Sequence, residues 1–319
     1  MRHESARILS VGTAVPSKVL TNHDLAGIMD TNDEWIVSRT GIKQRYVVPE
    51  TESTTASELG ARAGEQALRR AGVEPAEVDM VICATFTPDC FFPSTACKIQ
   101  HALGCGNAAA FDVSAACAGF VYGLSMADAM IRGGQCTTVL LVGSEVISKT
   151  LDWTDRTTSI LFGDGAGAVV VRGSGREGTG VLAGYLSSNG GMGDILTLSA
   201  WGENRLMQMR GNEVFKHAIR LMSESVNKAC DKAGLGTREI DLLIPHQANI
   251  RIIKGLADRL GLPMSKVVTN IERYGNTSSA SIPLALNDAI ADGRVGEGTL
   301  CVLTALGGGV TVGGAVVRF

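Results

Sequence analysis

Phe111-Asp112-Val113-Ser114-Ala115-Ala116-Cys117-Ala118-Gly119-Phe120 is the stretch on which the reading of this chain turns. A short β-like run, Ala108 to Val113, breaks at small residues, and a helix-length segment follows from Cys117 to Arg132. No residue from Val113 to Ala127 carries a charge, and a helix that is apolar all round is a buried helix. Gly119 and Gly123 leave room for another backbone to come close. A cysteine in the first turn of such a helix sits where unpaired N–H groups and the helix dipole favour negative charge. That is one route to a lowered thiol pKa and a thiolate nucleophile. The same cysteine also reads as a small buried hydrophobe, and most buried cysteines are inert. Taken alone, the stretch leaves both readings open.

The surroundings narrow the class. A chain of 319 residues holds one large domain or two similar halves around a substantial core. Hydrophobic content of 45% with 19% charged residues fits a compact soluble protein. The net charge of −3 and the lack of a Lys/Arg block argue against nucleic acid as a partner. Eight cysteines occur without CxxC spacing or a paired Cys/His cluster, so no metal site is expected. The opening residues are charged and lack an apolar secretory core, so the cysteines read as reduced thiols of a cytoplasmic protein. Gly298 to Val317 carries no charge, but its six glycines suit two buried strands about a glycine turn better than a membrane span.

The halves echo each other. Ala71-Gly72-Val73 through Ile82 parallels Ala233-Gly234-Leu235 through Ile244 at an offset of 162, and Thr138–Val142 parallels Thr299–Leu303 at 161. Gly167–Val170 parallels Gly314–Val317 at 147. Matching order at similar offsets predicts a duplicated α/β unit, residues 1–173 and 174–319. On that superposition Cys117 falls near Asn276, and both open small-residue helices. A pseudo-twofold arrangement brings both turns toward one crevice, where α/β sheets tend to bind ligands. Lys266 to Asn270 reads as a further short strand. Gly163-Asp164-Gly165-Ala166-Gly167 is followed by a strand, not a helix, so it reads as a turn and not as a dinucleotide loop.

His246 ends a predicted strand after Pro245, and Asn276 opens a helix. His3, His23, His101 and His217 read as terminal, surface or packing residues. Cys117, His246 and Asn276 on three converging turns make a nucleophilic constellation. Trp35 and Arg39 are four residues apart on a predicted short helix, which puts both on one face. They suit either a surface tryptophan stacked on its neighbour or a clamp for adenine and phosphate.

Taken together, these motifs resemble the beta-ketoacyl-acyl-carrier-protein synthase III family of thiolase-fold condensing enzymes. The likeness runs over essentially the whole chain. It rests on Asp33-Glu34-Trp35-Ile36 with Arg39-Thr40-Gly41-Ile42, on Ala115–Phe120, and on Phe162–Ala168. It continues through Gly211–Lys216, Pro245-His246-Gln247-Ala248-Asn249, Tyr274-Gly275-Asn276-Thr277-Ser278 and Gly307-Gly308-Gly309. The resemblance implies a thiolase-like α/β fold, layered α-β-α-β-α, with pseudo-twofold related halves. It also implies that Cys117 takes an acyl group from acyl-coenzyme A, with the amides of Cys117 and Gly308 as the oxyanion hole. His246 and Asn276 then hydrogen-bond the malonyl thioester of an acyl-carrier protein as it loses carbon dioxide. By the same carry-over Trp35, Arg39, Arg156 and Asn249 contact coenzyme A, and Lys216 and Arg251 dock the carrier protein. Phe92, crossing a homodimer interface, and Leu306 shape the acyl pocket. No cofactor is implied, since coenzyme A arrives as part of a substrate, and neither a membrane nor a nucleic acid is a partner. The chain departs from the family pattern at Leu306, Val310 and Val312, where aromatic residues are common, and at Asp258-Arg259. These changes put primer length and carrier docking in question. Initiation of fatty acid synthesis is the leading reading, and a condensing enzyme of secondary metabolism with another primer is the alternative.

Overall fold

Two sheets with one strand order carry the chain, described here by a computed structural model over residues 5–202 and 205–319. His3 lies outside the described residues. The first sheet holds β1 (Ser5–Ala14), β2 (Met80–Ala84), β3 (Ala109–Val113), β4 (Thr138–Glu145) and β5 (Gly165–Ser174), ordered β1-β5-β4-β2-β3. The second holds β6 (Gly180–Ser188), β7 (Leu242–Pro245), β8 (Leu300–Gly307) and β9 (Thr311–Arg318), ordered β6-β9-β8-β7. In the first sheet β1–β5 and β5–β4 pair antiparallel, and β4–β2 and β2–β3 pair parallel. The second repeats the pattern: β6–β9 and β9–β8 antiparallel, β8–β7 parallel.

The strand expected at Lys266–Asn270 shrinks to a single parallel bridge between Leu243 and Val267. The side chain of Gln247 is the reason. Its amide donates to the Val268 carbonyl at 3.1 Å, and its oxygen accepts the Asn270 N–H at 3.1 Å, replacing the ladder a neighbouring strand would supply.

Seven helices matter for the site: α1 (Asp33–Thr40), α2 (Ala56–Ala71), α3 (Thr95–Leu103), α4 (Gly119–Arg132), α5 (Gly211–Ala233), α6 (Ile250–Leu260) and α7 (Ser281–Ala291). A capping box of Thr55 and Glu58 starts α2, and Gly72 ends it in the left-handed conformation. α2 and α3 cover one face of the first sheet, α5 and α6 one face of the second. Between the sheets lie α4 and α7, whose Phe120, Leu124, Ile131, Ile282 and Leu286 share one core with both sheets. Sheets covered on both faces need strands buried at every position. β4 is buried at all eight of its residues, the last being the carboxylic acid Glu145. Gly123 is needed where α4 crosses β4, because a Cβ there would lie 2.4 Å from Leu141 Cδ1. The uncharged C-terminal run forms β8 and β9, paired antiparallel.

Each central helix is preceded by a 3-10 turn, Ala116–Ala118 before α4 and Ser278–Ala280 before α7. The first residue of each is left-handed, Ala116 at φ 45° and Ser278 at φ 51°. Both are non-glycine residues in a costly region of backbone space. In this frame the counterpart of Cys117 is Ser279, not Asn276, because the two turns are aligned by the helices they open.

Candidate active site

Cys117 sits in the turn between β3 and α4 and is 5% exposed. β8 presses on this turn: a Cβ on Gly307 would lie 2.6 Å from the Ala115 oxygen and 2.7 Å from the Cys117 nitrogen. Thr311 Oγ1 donates to the Ala115 carbonyl at 2.8 Å, fixing the turn from β9. The sulfur-bearing residue borders two cavities. The larger, about 510 Å3, runs from exposed Arg39 and Arg251 past Trp35 and Asn249 to buried Cys117, His246 and Asn276. The smaller, about 220 Å3, is walled by Phe86, Phe162, Leu196, Leu198 and Met207, with Gly308 beside Cys117.

His246 follows β7 and is 2% exposed. Its Nδ1 lies 2.7 Å from Ser281 Oγ at the start of α7. The Gln247 N–H donates to that same oxygen at 3.4 Å, so the hydroxyl hydrogen turns to Nδ1. This pattern assigns the proton of a neutral imidazole to Nε2. Burial pushes the His246 pKa down to about 3, so the ring is neutral at physiological pH. Asn276 is held by its backbone, with its N–H on the Leu161 carbonyl at 2.8 Å and its carbonyl accepting the Gly163 N–H at 3.0 Å. Its Oδ1 accepts the Ser278 N–H at 2.9 Å, which turns the carboxamide NH2 into the donor left for a ligand. Two neutral donors and one thiol thus face a single chamber.

The thiol does not have the lowered pKa that was one of the two readings the sequence left open. Burial pushes it up to about 12; the Ser278 hydroxyl offsets part of that and the charge of Glu145 adds to it. The intervening 3-10 turn keeps Cys117 out of the first turn of α4, and the Ala118 N–H is turned back onto the Ala115 carbonyl at 3.1 Å. Burial therefore favours the protonated thiol of Cys117 over the thiolate.

Most of the other residues singled out in the sequence are spread along the larger cavity and its rim. The Arg39 and Arg156 guanidiniums lie 4.6 and 5.2 Å from the centroid of the Trp35 ring. Arg156 also donates to the Asp30 carbonyl at 2.6 Å and is not part of the cavity wall. Asn249 lines the cavity and caps α6, its Oδ1 accepting the Arg251 N–H at 2.8 Å. Arg251 stands at the mouth, 5.2 Å from the Phe215 ring centre, and Lys216 is exposed on α5. Phe92 is 86% exposed and borders neither cavity within this single chain. Leu306, expected in the acyl pocket, opens onto the larger cavity instead, packed with Ile195, Val310 and Val312. The apolar walls of the smaller cavity went unread. Leu196, Leu198 and Met207 come from loops and two-residue strands that carry no periodic signal. Among the described residues no group of three or more His, Cys, Asp or Glu could hold a metal ion.

A fold of two like sheets about paired central helices, with Cys, His and Asn in one chamber, defines a cysteine-dependent condensing enzyme of the thiolase fold. Comparison with known proteins narrows this. The family described as 3-oxoacyl-[acyl-carrier-protein (ACP)] synthase III matches residues 111–190, and its C-terminal part matches residues 230–319. The beta-ketoacyl-[acyl-carrier-protein] synthase III of Xanthomonas campestris pv. campestris is 47% identical over 98% of each chain. The crystal structure of 3-oxoacyl-[acyl-carrier-protein] synthase III from Aquifex aeolicus VF5 superposes with a TM-score of 0.95 at 45% identity, covering 98% of this chain and all of that one. A priming beta-ketosynthase from the R1128 polyketide biosynthetic pathway gives a TM-score of 0.94 at 36% identity, covering all of this chain and 97% of that one. The chain belongs to the 3-oxoacyl-[acyl-carrier-protein] synthase III family and is a condensing acyltransferase.

Proposed function

We propose that this enzyme condenses an acyl-coenzyme A primer with malonyl-acyl-carrier protein, with loss of carbon dioxide, in the first elongation step of fatty acid synthesis. One observation supports this most: Cys117 stands where two cavities meet, one large, with a charged mouth, and holding His246 and Asn276, the other small and apolar. The primer's thioester enters by the larger cavity and its acyl tail occupies the smaller. Cys117 sulfur attacks the carbonyl, and the amides of Cys117 and Gly308 take the developing oxyanion. Coenzyme A leaves, with Trp35, Arg39, Arg156 and Asn249 as its contacts. The carrier protein docks on Lys216 and Arg251 and delivers its malonyl thioester to the same chamber. His246 Nε2–H and the Asn276 amide donate to the thioester oxygen. They stabilise the enolate left by decarboxylation, and that enolate attacks acyl-Cys117. Neutral donors suit this role because they meet charge only as it develops.

In this reading the enzyme is a cytoplasmic homodimer without a cofactor, Phe92 of one protomer reaching the acyl pocket of its partner, and the repeats divide at residues 173 and 174. Among the described residues no helix is long and apolar enough to cross a membrane. Priming of a secondary pathway has weaker support, the polyketide ketosynthase being 36% identical against 47% and 45% for the two synthases. The test is a primer panel. Purified enzyme with malonyl-carrier protein is given acetyl, branched, medium-chain and aromatic coenzyme A thioesters, and kcat/KM is measured for each. Turnover of short or branched primers is expected, and a strong preference for an aromatic primer overturns the reading.

A further inference from the structure

Arg45 is a buried cation that the reaction above leaves without a task. It lies on a short strand, Gln44–Val47, paired antiparallel with Lys18–Thr21, and has no exposure to solvent. None of the ion pairs found among the described residues includes it. Burial lowers its pKa to about 10, so the guanidinium stays charged at neutral pH. Its Nε is buried and completes no hydrogen bond. Burying a charge without a counter-ion is costly, and an apolar side chain would fill the same space without that penalty.

What the guanidinium does is join separate segments. Its Nη2 donates to the Ile160 carbonyl at 2.6 Å, and its Nη1 to Asn22 Oδ1 at 2.9 Å and the Leu20 carbonyl at 3.3 Å. Asn22, itself buried, passes the connection on. Its Nδ2 donates to Asp33 Oδ1 at 2.9 Å and to the Ile42 carbonyl at 2.7 Å. Asp33 is the first residue of α1, the helix that carries Trp35 and Arg39. On the other side, Ile160, Leu161 and Phe162 line the larger cavity. The Leu161 carbonyl accepts the Asn276 N–H, the Gly163 N–H donates to the Asn276 carbonyl, and Phe162 forms a parallel bridge with Asn276. The stem of Arg45 packs against both sides of this contact. A Cβ on Gly163 would lie 2.9 Å from Arg45 Cβ, and one on Gly275 would lie 3.2 Å from it.

We propose that Arg45 is a positioning residue for Asn276: it clamps residues 160–163, so that the carboxamide hydrogen-bonded to them through its backbone meets the malonyl thioester oxygen. Arg45 itself lines neither cavity and acts only through this segment. The clamp calls for an arginine. A planar fork of five donors reaches acceptors on several segments at once, and no acid partner draws it away from the carbonyls. A lysine keeps the charge but gathers its donors on one nitrogen.

The effect is confined to one half of the reaction. The Cys117 turn is fixed by Gly307 and Thr311, and the His246 ring by Ser281. None of these contacts passes through residues 160–163. Loss of the clamp is therefore felt at the carboxamide, and far less at the sulfur or the imidazole.

This inference rests on the decarboxylation reading above, in which Asn276 donates to the enolate oxygen, and one experiment separates the two. Arg45→Met and Arg45→Lys are made alone and together with Asn276→Ala. Carbon dioxide release from malonyl-carrier protein and acylation of Cys117 by acyl-coenzyme A are measured for each protein. If Asn276→Ala releases carbon dioxide as fast as wild type, the decarboxylation reading fails and the clamp fails with it. With Asn276→Ala slow, the clamp predicts release reduced about 30-fold in Arg45→Met and about 5-fold in Arg45→Lys, with acylation within about threefold of wild type. In the Asn276→Ala background the same substitutions should lower release by less than about twofold more, because the group through which Arg45 acts is gone. Release within about twofold of wild type in Arg45→Met overturns the clamp and leaves the decarboxylation reading intact. A proportionate loss of release and acylation marks a structural role and overturns it too, as does a full additional loss in the Asn276→Ala background. Should Arg45→Met fail to fold, Arg45→Lys decides by the same comparisons, since it keeps the charge and most of the stem.

Discussion

His246 Nδ1 and Ser281 Oγ, 2.7 Å apart, join the end of β7 to the first turn of α7. The hydroxyl holds the imidazole in the tautomer that points an N–H into the chamber. Ser281→Ala should lower kcat for condensation by about 10-fold, roughly 1.4 kcal/mol, with KM changed by less than about twofold. Ser281→Thr, which restores the hydroxyl, should recover most of it. Steady-state kinetics on the three proteins checks this; a KM effect alone would contradict the assignment.

The three chamber residues should divide between the half-reactions. Cys117→Ala should abolish the acyl adduct seen by mass spectrometry. His246→Ala and Asn276→Asp should each cost the decarboxylative step about 100-fold or more, near 3 kcal/mol, while sparing acylation. An aspartate at 276 would place a negative charge against the enolate. Separate assays of adduct formation and carbon dioxide release read the two steps.

Two of the buried titratable groups, His246 and Glu145, should pull stability in opposite directions with pH. The unfolded His246 ring takes a proton near 6.5 and the folded one not until about 3. Stability from His246 is thus complete above pH 6.5 and is lost as pH falls toward 3. Glu145 is raised from 4.5 to about 7, so its contribution is complete below 4.5 and is lost as pH rises through about 7. Urea midpoints of Glu145→Gln should accordingly decline less between pH 5 and 8 than those of wild type. NMR of the His246 ring should show no protonation from pH 8 to 5.

Filling the smaller cavity should narrow primer choice. Leu198→Trp adds bulk to a space of about 220 Å3 beside Cys117. It should lower kcat/KM for medium-chain primers by about 10-fold or more while acetyl is little affected. Met207→Ala should shift the balance the other way. The primer panel gives both ratios, and an unchanged ranking would remove this cavity from the acyl path.

Much of this was readable in the chain before any coordinates. Thr55 with Glu58, Ser94 and Asn249 are local caps, so the starts of α2, α3 and α6 follow from a few adjacent residues. Cys117, His246 and Asn276 stand at breaks between apolar runs, where side chains are released toward a crevice. Three things were hidden because they depend on distant contacts. The walls of the smaller cavity come from aperiodic loops. Whether Cys117 opens a helix or a 3-10 turn is decided by Gly307 and Thr311, far along the chain. Glu145 reads as the polar end of a strand until folding brings Ser279 against it.

The backbone contact between Gly307 and the Cys117 turn also bears on how the molecule is made. A polypeptide leaving the ribosome exposes residue 117 long before the glycine that clamps it exists. Until that late strand docks, the sulfur belongs to an unshaped turn with no chamber around it. Before that, Cys117 is an ordinary exposed thiol, and the buried setting that raises its pKa is complete only when the strand ending at Gly307 arrives.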